Sequence, residues 1–355
     1  MIPAYLNWHL AAYPKMTAQD VVKLVFQAHC GCGHLLADES SVLAYIEREE
    51  STLTPNPDEP LTEPLGAHYC RLNLRRAMAE GIEPLWIARM MALSTKDTDT
   101  LSERQSAYED ILSLSVANIG LSQAELHPIA QQLIDDSTWL PGHSEPYRQA
   151  YAPAYRVISR EMERLLPVLS AIAKAQQGNP QVLLCLDGPC GSGKTTMAEQ
   201  LVHITGAACI HMDDFYTPHS QKTPERLAQP GGNADVERLL SEFLLPWRRD
   251  GHGSYRPYLC MEDRFGEPIL VPTNPLMILE GSYSLHPDIA ALADVKVFLT
   301  VDEDEQLRRL LAREGQARLQ QFQERWIPLE RAYHAAFSLP DASCLVIAPQ
   351  RLTDV

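Results

Sequence analysis

The chain has no long hydrophobic run and no basic leader at its start. No apolar stretch approaches the ~20 residues that a helix needs to cross a bilayer. The first residues, MIPAYLNWHLAAYPKM, lack a basic segment followed by an apolar core. These two absences argue against a membrane span and a secretory signal, so we expect a cytoplasmic protein.

Positive charge is also scarce, because 30 Lys and Arg residues stand against 46 Asp and Glu residues. The net charge of −16 argues against a general affinity for nucleic acid or for an anionic membrane. Otherwise the composition is ordinary for a globular protein, with 45% hydrophobic and 21% charged residues. At 355 residues, the chain is long enough for two domains, each with its own core.

Regular cysteine spacing is missing as well. The eight cysteines are scattered, and Cys185, Cys209 and Cys344 fall in predicted buried strands. This distribution is typical of reduced thiols rather than of a disulfide framework.

The segment HCGCGH places His29, Cys30, Cys32 and His34 close together in the sequence. A metal site is one interpretation, although Cys-x-Cys is tighter than the usual zinc spacing and no second pair is clear. The alternative, which the spacing favours, is a helix end that carries ordinary buried thiols.

The first half of the chain is predicted to be mostly α-helical. Helical spacing of apolar residues recurs, Ser122 stands as an N-cap before one such pattern, and a last helix is expected over residues 156–174. Strand-like alternation is almost absent. We therefore expect a helical domain over residues 1–174, a short polar linker at 175–181 and a second domain over residues 182–355.

A tyrosine cluster lies near the end of the helical half, in the segment PGHSEPYRQAYAPAYR. It contains His143, Tyr147, Tyr151, Tyr155 and Arg156. Tyrosines spaced by four could line a polar pocket on one helical face, or they could pack a domain junction, which is the more common arrangement.

The second domain opens with a phosphate-binding pattern. An apolar run at residues 182–186 predicts a buried strand, residues 188–195 read GPCGSGKT, and a helix-like segment follows. This fits GxxxxGK[ST] in the strand–loop–helix context that a P-loop needs, which disfavours a chance match. The residues expected to bind the nucleotide are Gly188, Pro189, Cys190, Gly191, Ser192, Gly193, Lys194, Thr195 and Thr196.

Backbone N–H groups of such a loop converge on phosphate oxygens, and the helix N-terminus adds a positive dipole end. Lys194 would meet the β- and γ-phosphates, and the Thr195 hydroxyl would bind Mg²⁺. The expected cofactors are therefore ATP and Mg²⁺.

Two acidic residues follow or end predicted core strands of this domain. Asp213 comes directly after a strand at residues 208–212, and Glu280 ends a buried run at residues 276–280. Ligands of open α/β sheets bind at the carboxyl ends of strands, so both carboxylates fall where chemistry is expected. Glu280 could hold Mg²⁺ directly or through water. A buried, ion-paired aspartate is the alternative interpretation of Asp213.

Other candidates lie on helices and loops. Asp235 could cap the following helix or reach substrate hydroxyls, and Tyr258 lies in a proline-punctuated loop. Arg308, Arg309 and Arg313 follow a core strand and could neutralise charge on a transferring phosphoryl group, unless they form a solvated surface.

Four segments occur in a characteristic order between residues 180 and 350: GPCGSGKTT, MDDFY, ILEGSYSLHPDIAALADVKVFLTVDEDEQLRRLLARE and WIPLERAY. In motifs and order, this region resembles the uridine kinase group of P-loop kinases, with phosphoribulokinase and bacterial pantothenate kinase as relatives. The first half is similar only to an uncharacterised bacterial helical domain, which implies no activity.

The resemblance implies a role for several residues. Asp213 matches the catalytic acid of the group, and Tyr216 matches a substrate-side tyrosine. From its own place after a strand, Asp213 is also expected to touch the Mg²⁺ shell. Thr195 and Glu280 match the Mg²⁺ neighbourhood, and Arg313 matches a lid arginine.

The substrate loop departs from the pattern of the group. Uridine kinases usually carry an acid directly after the tyrosine that Tyr258 matches, whereas Leu259 follows here. Asp263 or Arg264 stands near the place of a family histidine, and Asp235 lacks the full acidic motif around it.

We therefore expect an α/β P-loop domain, a parallel sheet flanked by helices, behind a mostly helical domain. The expected activity is ATP- and Mg²⁺-dependent phosphoryl transfer to a hydroxyl, first of all the 5′-hydroxyl of a nucleoside such as uridine. Pantothenate, a sugar phosphate or another polyol is the alternative acceptor, and an ATP-binding regulatory protein is the alternative of another class. The role of residues 1–174 and self-association stay open.

Overall fold

The structure is a computed structural model that describes residues 2–32, 38–95, 101–114 and 120–348. The chain divides into two compact units, Met1–Leu166 and Pro167–Gln350. Most of the predicted linker, residues 175–181, belongs to the end of a helix in the second unit. The expected domain boundaries therefore stay a prediction. No helix in the described ranges is long and apolar enough to cross a membrane.

The first unit is mainly helical, as predicted. The Ser122 N-cap is confirmed, since its side chain and that of Glu125 form a reciprocal capping box. A second capping box joins Thr17 and Asp20. The helices are α1 (Ala4–Ala12), α2 (Ala18–Cys30), α3 (Glu39–Glu50), α4 (Leu74–Glu80), α5 (Pro84–Ser94), α6 (Leu101–Ser113), α7 (Gln123–Asp135), α8 (Glu145–Tyr151) and α9 (Arg160–Glu163), and α10 (Leu166–Gly178) crosses into the second unit.

A three-stranded antiparallel sheet corrects the expectation that this half almost lacks strands. Its strands are β1 (Thr62–Leu65), β2 (Tyr69–Asn73) and β3 (Tyr155–Ser159), in that spatial order. The predicted helix over residues 156–174 is wrong at its start, which forms β3. The alternation of apolar and polar residues that predicts a strand is absent here. The reason is that two charged residues, Arg71 and Arg156, are buried within these strands, at 1% and 7% exposure.

The second unit is built on a parallel sheet, as expected for a P-loop fold. The sheet has five strands in the order β12-β11-β4-β10-β5, and two small antiparallel pairs, β6–β9 and β7–β8, stand beside it. The strands are β4 (Val182–Asp187), β5 (Ala208–His211), β6 (Gly253–Tyr255), β7 (Tyr258–Leu259), β8 (Arg264–Phe265), β9 (Ile269–Val271), β10 (Leu276–Glu280), β11 (Val295–Leu299) and β12 (Leu345–Ile347). Every residue of β4 and β10 is buried, which confirms the two apolar runs as core strands.

Helices connect these strands. Turns of 3₁₀ type cover Met212–Phe215 and His219–Gln221, and π-helical turns cover Leu239–Leu244 and Phe322–Trp326. The second π turn ends just before an α-helix that carries Pro328 in its first turn, where a proline, which lacks an amide donor, is tolerated. The helices are α11 (Lys194–Thr205), α12 (Pro224–Leu227), α13 (Val236–Arg238), α14 (Leu245–Asp250), α15 (Pro287–Ala290), α16 (Glu303–Glu314), α17 (Gln316–Gln321) and α18 (Ile327–Ala336).

The main core of this unit lies against one face of the parallel sheet. Alternate residues of β4 and β10 point into it, including Leu183 and Leu279, because successive strand residues face opposite sides. Trp247 from α14 and Tyr333 from α18 complete it, and all four side chains have 0% exposure. The carboxyl ends of the sheet strands are thereby held at fixed positions.

We expect Leu279→Ala to lower the free energy of unfolding of this unit by about 2–5 kcal/mol, because the substitution leaves a cavity in a packed core. Leu270→Ala is the matched control, since Leu270 is 80% exposed and its truncation should change little. Hydrogen exchange of peptides from β4 and β10, followed by mass spectrometry, measures the effect locally. Equal exchange in the two variants would contradict the assigned core.

Candidate active site

The phosphate-binding loop runs from β4 into α11, in the strand–loop–helix order that the sequence predicts. Gly188 has φ 142°, and a Cβ there would lie 2.3 Å from the carbonyl oxygen of Leu299 on the neighbouring strand. Gly193, at φ 99°, caps the first turn of α11. Any larger residue at Gly188 would push the loop off the sheet edge, so backbone geometry alone requires glycine there.

Lys194 begins α11 and lies folded against the loop, 9% exposed. Its Nζ donates hydrogen bonds to the carbonyl oxygens of Gly188, at 2.7 Å, and Pro189, at 3.0 Å. An ammonium group has three donors, so one N–H remains for an anion. The first amides of a helix lack intrahelical acceptors, and the buried Ser192 hydroxyl has no partner in the described structure. These unpaired donors fit the oxygens of a bound triphosphate.

Thr195 and Glu280 meet at the carboxyl edge of the sheet. The Thr195 Oγ1 lies 3.4 Å from both carboxylate oxygens of the buried Glu280. His211, at the end of β5, lies 2.6 Å from Glu280 through its Nδ1, and this hydrogen bond raises the pKa of His211. A hydroxyl beside a carboxylate is the oxygen donor set that Mg²⁺ prefers, so these residues fit the ion.

Asp213 stands within the 3₁₀ turn that follows β5, at a position that solvent reaches although neighbouring segments crowd its carboxylate. The pKa of Asp213 is raised, first because surrounding protein displaces water and then because the Glu280 charge repels its ionised form. A hydrogen bond with Tyr216 and the Lys194 charge act in the opposite direction. The structure therefore brings together Asp213, Tyr216, Lys194 and Glu280, four of the predicted site residues.

The neighbouring Asp214 has different partners. Its carboxylate accepts a hydrogen bond from the Tyr255 hydroxyl at 2.8 Å, so it is directed away from the Asp213–Tyr216 pair. Residues 212–215 form a 3₁₀ turn, and within it the two adjacent carboxylates have different partners.

The predicted substrate residues Asp235 and Tyr258 both hold structural contacts. Asp235 caps α13 through the Arg238 amide at 3.2 Å and pairs with the Arg238 side chain at 3.3 Å. The Tyr258 hydroxyl accepts from the His219 amide at 2.9 Å and donates to Asp263. The capping interpretation of Asp235 thus matches the structure, while substrate contacts of both residues stay predictions.

The arginines of α16 differ in their distance from the loop. Arg309 reaches it, with Nη1 3.3 Å from the Gly191 carbonyl oxygen and 3.4 Å from that of Ser192. Arg313, the predicted lid arginine, is exposed one turn further on and pairs with Glu314 at 2.8 Å. Sequence reasoning named Arg309 only as one of three candidates, because helical spacing cannot tell which turn faces a distant loop.

Two buried carboxylates that the sequence analysis missed accept hydrogen bonds from amides of the loop. Asp187, the last residue of β4, is fully buried and accepts from the Gly188 amide at 2.6 Å, the Leu285 amide at 2.9 Å and the Tyr333 hydroxyl at 2.8 Å. The donors to Asp187 among the described residues are thus two backbone amides and one hydroxyl. The Nε2 atom of His334 lies 3.8 Å from the Asp187 carboxylate.

Glu330 is the second of these carboxylates, 6% exposed on α18. It accepts from the Cys190 amide at 2.8 Å and from the Ser282 hydroxyl at 2.6 Å. Glu330 and Tyr333 are three residues apart, which puts them on one helix face. An acid and a tyrosine at this spacing in WIPLERAY were the available sequence signal.

The candidate metal cluster of the first unit has separate contacts. His29 pairs with Asp110 at 2.8 Å, and Cys30 and Cys32 are buried, while His34 lies outside the described residues. Burial raises the pKa of Cys32 to about 12, which disfavours the thiolate that binds metals. Across the described ranges, no group of three or more His, Cys, Asp or Glu side chains is arranged to hold a metal ion.

The parallel sheet and its phosphate loop are those of a P-loop fold. Comparison with known sequences indicates which P-loop proteins the chain is similar to. No family model matches the chain. A uridine kinase of Ureaplasma parvum is 28% identical over 151 residues, which are 40% of this chain and 73% of that protein. A uridine kinase of Clostridium perfringens is 27% identical over 142 residues, 38% of this chain and 68% of that protein.

One solved structure, described as a possible uridine kinase from Bacillus stearothermophilus, is 16% identical, covers 53% of this chain and 98% of its own, and has a TM-score of 0.39. Over this region the chain is therefore similar to uridine kinases, a group of P-loop phosphotransferases.

We expect Tyr333→Phe to destabilise the second unit by about 1–3 kcal/mol, because it deletes one of the donors that satisfy the buried Asp187 carboxylate. Tyr45→Phe, at a tyrosine that is 53% exposed, is the matched control and should be nearly silent. Chemical denaturation gives the total loss, and hydrogen exchange of residues 182–193 shows whether the loop loosens first. A silent Tyr333→Phe would mean that Asp187 does not depend on this hydroxyl.

Proposed function

We propose that this protein uses ATP and Mg²⁺ to phosphorylate a hydroxyl group of a small molecule, the 5′-hydroxyl of a nucleoside such as uridine. The observation that carries the proposal is the position of Asp213. An acid with a raised pKa stands within electrostatic reach of both Lys194 and Glu280, at the carboxyl edge of the sheet. A phosphate loop used only to sense nucleotides needs no such base beside it.

The loop and its surroundings would hold the nucleotide. The backbone amides at the start of α11, the Ser192 hydroxyl and the Lys194 ammonium offer donors to phosphate oxygens. Thr195, Glu280 and Asp213 supply the oxygen atoms for Mg²⁺. When bound, Mg²⁺ and ATP supply the transferable phosphoryl group and neutralise part of its charge.

Asp213 would orient the acceptor hydroxyl and take up its proton. Phosphoryl transfer depends mostly on alignment and charge neutralisation, so a fixed base is worth more than a strong one. The hydrogen bond with Tyr216 limits the directions in which Asp213 can point. Arg309, which contacts the loop, and Arg313, one turn away, are the cations available to balance charge on the transferring group.

The choice of a nucleoside rests on the names of the sequence relatives. Relatives from Ureaplasma parvum and Clostridium perfringens are uridine kinases, and one from Dictyostelium discoideum is named uridine-cytidine kinase D. The substrate loop of this chain differs from the usual uridine kinase pattern, because Leu259, rather than an acid, follows Tyr258. A sugar phosphate, pantothenate or polyol acceptor is therefore the competing substrate class.

A coupled assay of ADP release tests the proposal directly. The full chain, ATP and Mg²⁺ are incubated in turn with uridine, cytidine, pantothenate, a pentose phosphate and a polyol, and the phosphorylated product is identified by mass spectrometry. Turnover with a nucleoside supports the proposed acceptor, and turnover with another compound reassigns it. ATP binding without turnover on any of them would favour a regulatory protein.

We expect Asp213→Asn to lower kcat by roughly 10²–10⁴, the usual effect of a lost general base, and to leave ATP binding within a few fold. Asp214→Asn is the matched control, because it makes the same chemical change at a carboxylate that binds Tyr255 instead. Steady-state kinetics with circular dichroism on both variants provides the measurement. An inactive Asp214→Asn beside an active Asp213→Asn would reverse the assignment.

The pH dependence of kcat gives a second readout of Asp213. The base acts only when ionised, so kcat should fall as the pH drops through the pKa of Asp213. The pKa of Asp213 is raised in the protein without bound nucleotide or metal, so the acid limb of kcat/KM, which reports the free enzyme, should begin at a higher pH than for an ordinary aspartate. The residual activity of Asp213→Asn should lack this acid limb.

We expect Lys194→Ala to reduce turnover by roughly 10²–10³, the effect of removing one donor that stabilises developing charge. The protein should stay folded, since the ammonium contacts loop carbonyls rather than the apolar core. Lys174→Ala, at an exposed lysine outside the loop, is the control for loss of a positive charge. Unchanged kcat in a folded Lys194→Ala would remove the loop from the mechanism.

A further inference from the structure

The first unit contains a cavity that the kinase proposal does not use. Its volume is about 170 Å³, and four tyrosines line it: Tyr13, Tyr147, Tyr151 and Tyr155. At about 30 Å³ per water, this space holds roughly six water molecules, which is the size of an amino acid or a short diamine rather than a nucleotide. The tyrosine cluster noted in the sequence thus forms a wall of a small polar cavity.

Three of these tyrosines pack against one another to form a rigid aromatic corner. The ring centroids of Tyr13 and Tyr147 are 5.4 Å apart, those of Tyr13 and Tyr151 are 5.0 Å apart, and those of Tyr147 and Tyr151 are also 5.0 Å apart. Tyr147 and Tyr151 come from α8, whereas Tyr155 begins β3, so the spacing of four does not follow one helix. Edge-to-face packing of this kind leaves ring faces that attract cations.

Two carboxylates share the cavity with these rings. Glu59 is held by the side-chain amides of Asn56, at 2.9 Å, and Asn73, at 2.6 Å. Both partners are neutral, and among the described residues no ion pair to the Glu59 carboxylate is found. The Glu59 carboxylate is therefore oriented by fixed, neutral donors.

Glu63 is the second acidic group, 8% exposed, and burial raises its pKa, so the attraction of the cavity for a cation rests first on Glu59. Glu63 accepts a hydrogen bond from the Tyr13 hydroxyl, and the His9 Nδ1 lies 4.0 Å away. Burial lowers the pKa of His9 to about 3, so this imidazole is neutral near pH 7 and provides no balancing charge. Arg71 is the nearby cation, with Nη2 bonded to Gln27 at 2.8 Å and its guanidinium 4.2 Å above the Tyr155 ring.

One cationic side chain also lines the cavity. Arg75 is half-buried, and its Nη2 donates to the Ala152 carbonyl oxygen at 3.1 Å. A guanidinium has five donors, so several remain for a ligand. The cavity thus offers two carboxylates and aromatic faces to a positive group and one guanidinium to an acceptor group.

We propose that this cavity binds a small organic amine of metabolite size, with its ammonium group against Glu59 and Glu63 and its carbon chain against the tyrosine rings. An amine that also carries a carboxylate would direct that group to Arg75. The site lies wholly within the first unit and needs no part of the phosphate loop. It gives residues 1–166 a binding function of their own.

Isothermal titration calorimetry on the full chain tests the proposal with putrescine, choline and L-lysine as probes and neutral erythritol as the comparison. We expect at least one amine to bind and erythritol not to bind. Glu59→Gln should weaken amine binding about two- to fivefold, as expected for the loss of one partly exposed charge. Glu145→Gln, an exposed glutamate on α8 that does not line the cavity, is the matched control and should bind as the wild type does.

The aromatic wall has its own pair of variants. Tyr151→Phe keeps the ring and should retain affinity, whereas Tyr151→Leu removes the cation–π contact and should weaken binding by about two- to fivefold. Arg75→Gln should weaken L-lysine and leave putrescine unchanged. Hydrogen exchange of the wild type with the bound amine should show protection in residues 145–155, a measurement that needs no variant to fold.

Failure of all three amines to bind would overturn the proposal. It would also be overturned if an amine bound equally well to Glu59→Gln and Glu145→Gln, or gave no protection in residues 145–155, because the binding would then lie elsewhere.

Discussion

The position of the phosphate loop depends on the buried carboxylate of Asp187. An ionised group without solvent is costly unless every lone pair finds a donor. Here the donors come from the start of the loop, from the segment after β10 and from α18. Because these three segments are far apart in sequence, the position of the loop depends on tertiary contacts as well as on its own residues. Glu330 adds a second link of the same kind between α18 and the loop.

The parts of the site that sequence could predict are those encoded locally. The glycines, Lys194 and Thr195 follow from one short pattern, and Asp213 and Glu280 follow from their place at strand ends. Their convergence in the structure needs only the parallel order of β5, β10 and β4. Local pattern, sheet topology and site therefore agree in this part of the chain.

The parts that sequence could not predict depend on long-range contacts. The sheet of the first unit was missed because Arg71 and Arg156 occupy buried strand positions, where each guanidinium donates to a distant partner, Gln27 and Glu49 respectively. Glu330 resembles any exposed helix glutamate until its partner on the loop is known. Arg309 and Arg313 are equivalent in a helical pattern, and only the packing of α16 distinguishes them. In each case the deciding partner is tens of residues away.

Cys190 illustrates how this packing shapes chemistry at a single atom. Its amide binds Glu330, while its sulfur lies 3.4 Å from the Gln306 side-chain nitrogen. Burial, and then the Glu330 charge, raise the pKa of the thiol well above that of a free cysteine. Since the thiolate is the species that alkylating agents and peroxide attack, this shift lowers the reactivity of the sulfur at the phosphate site.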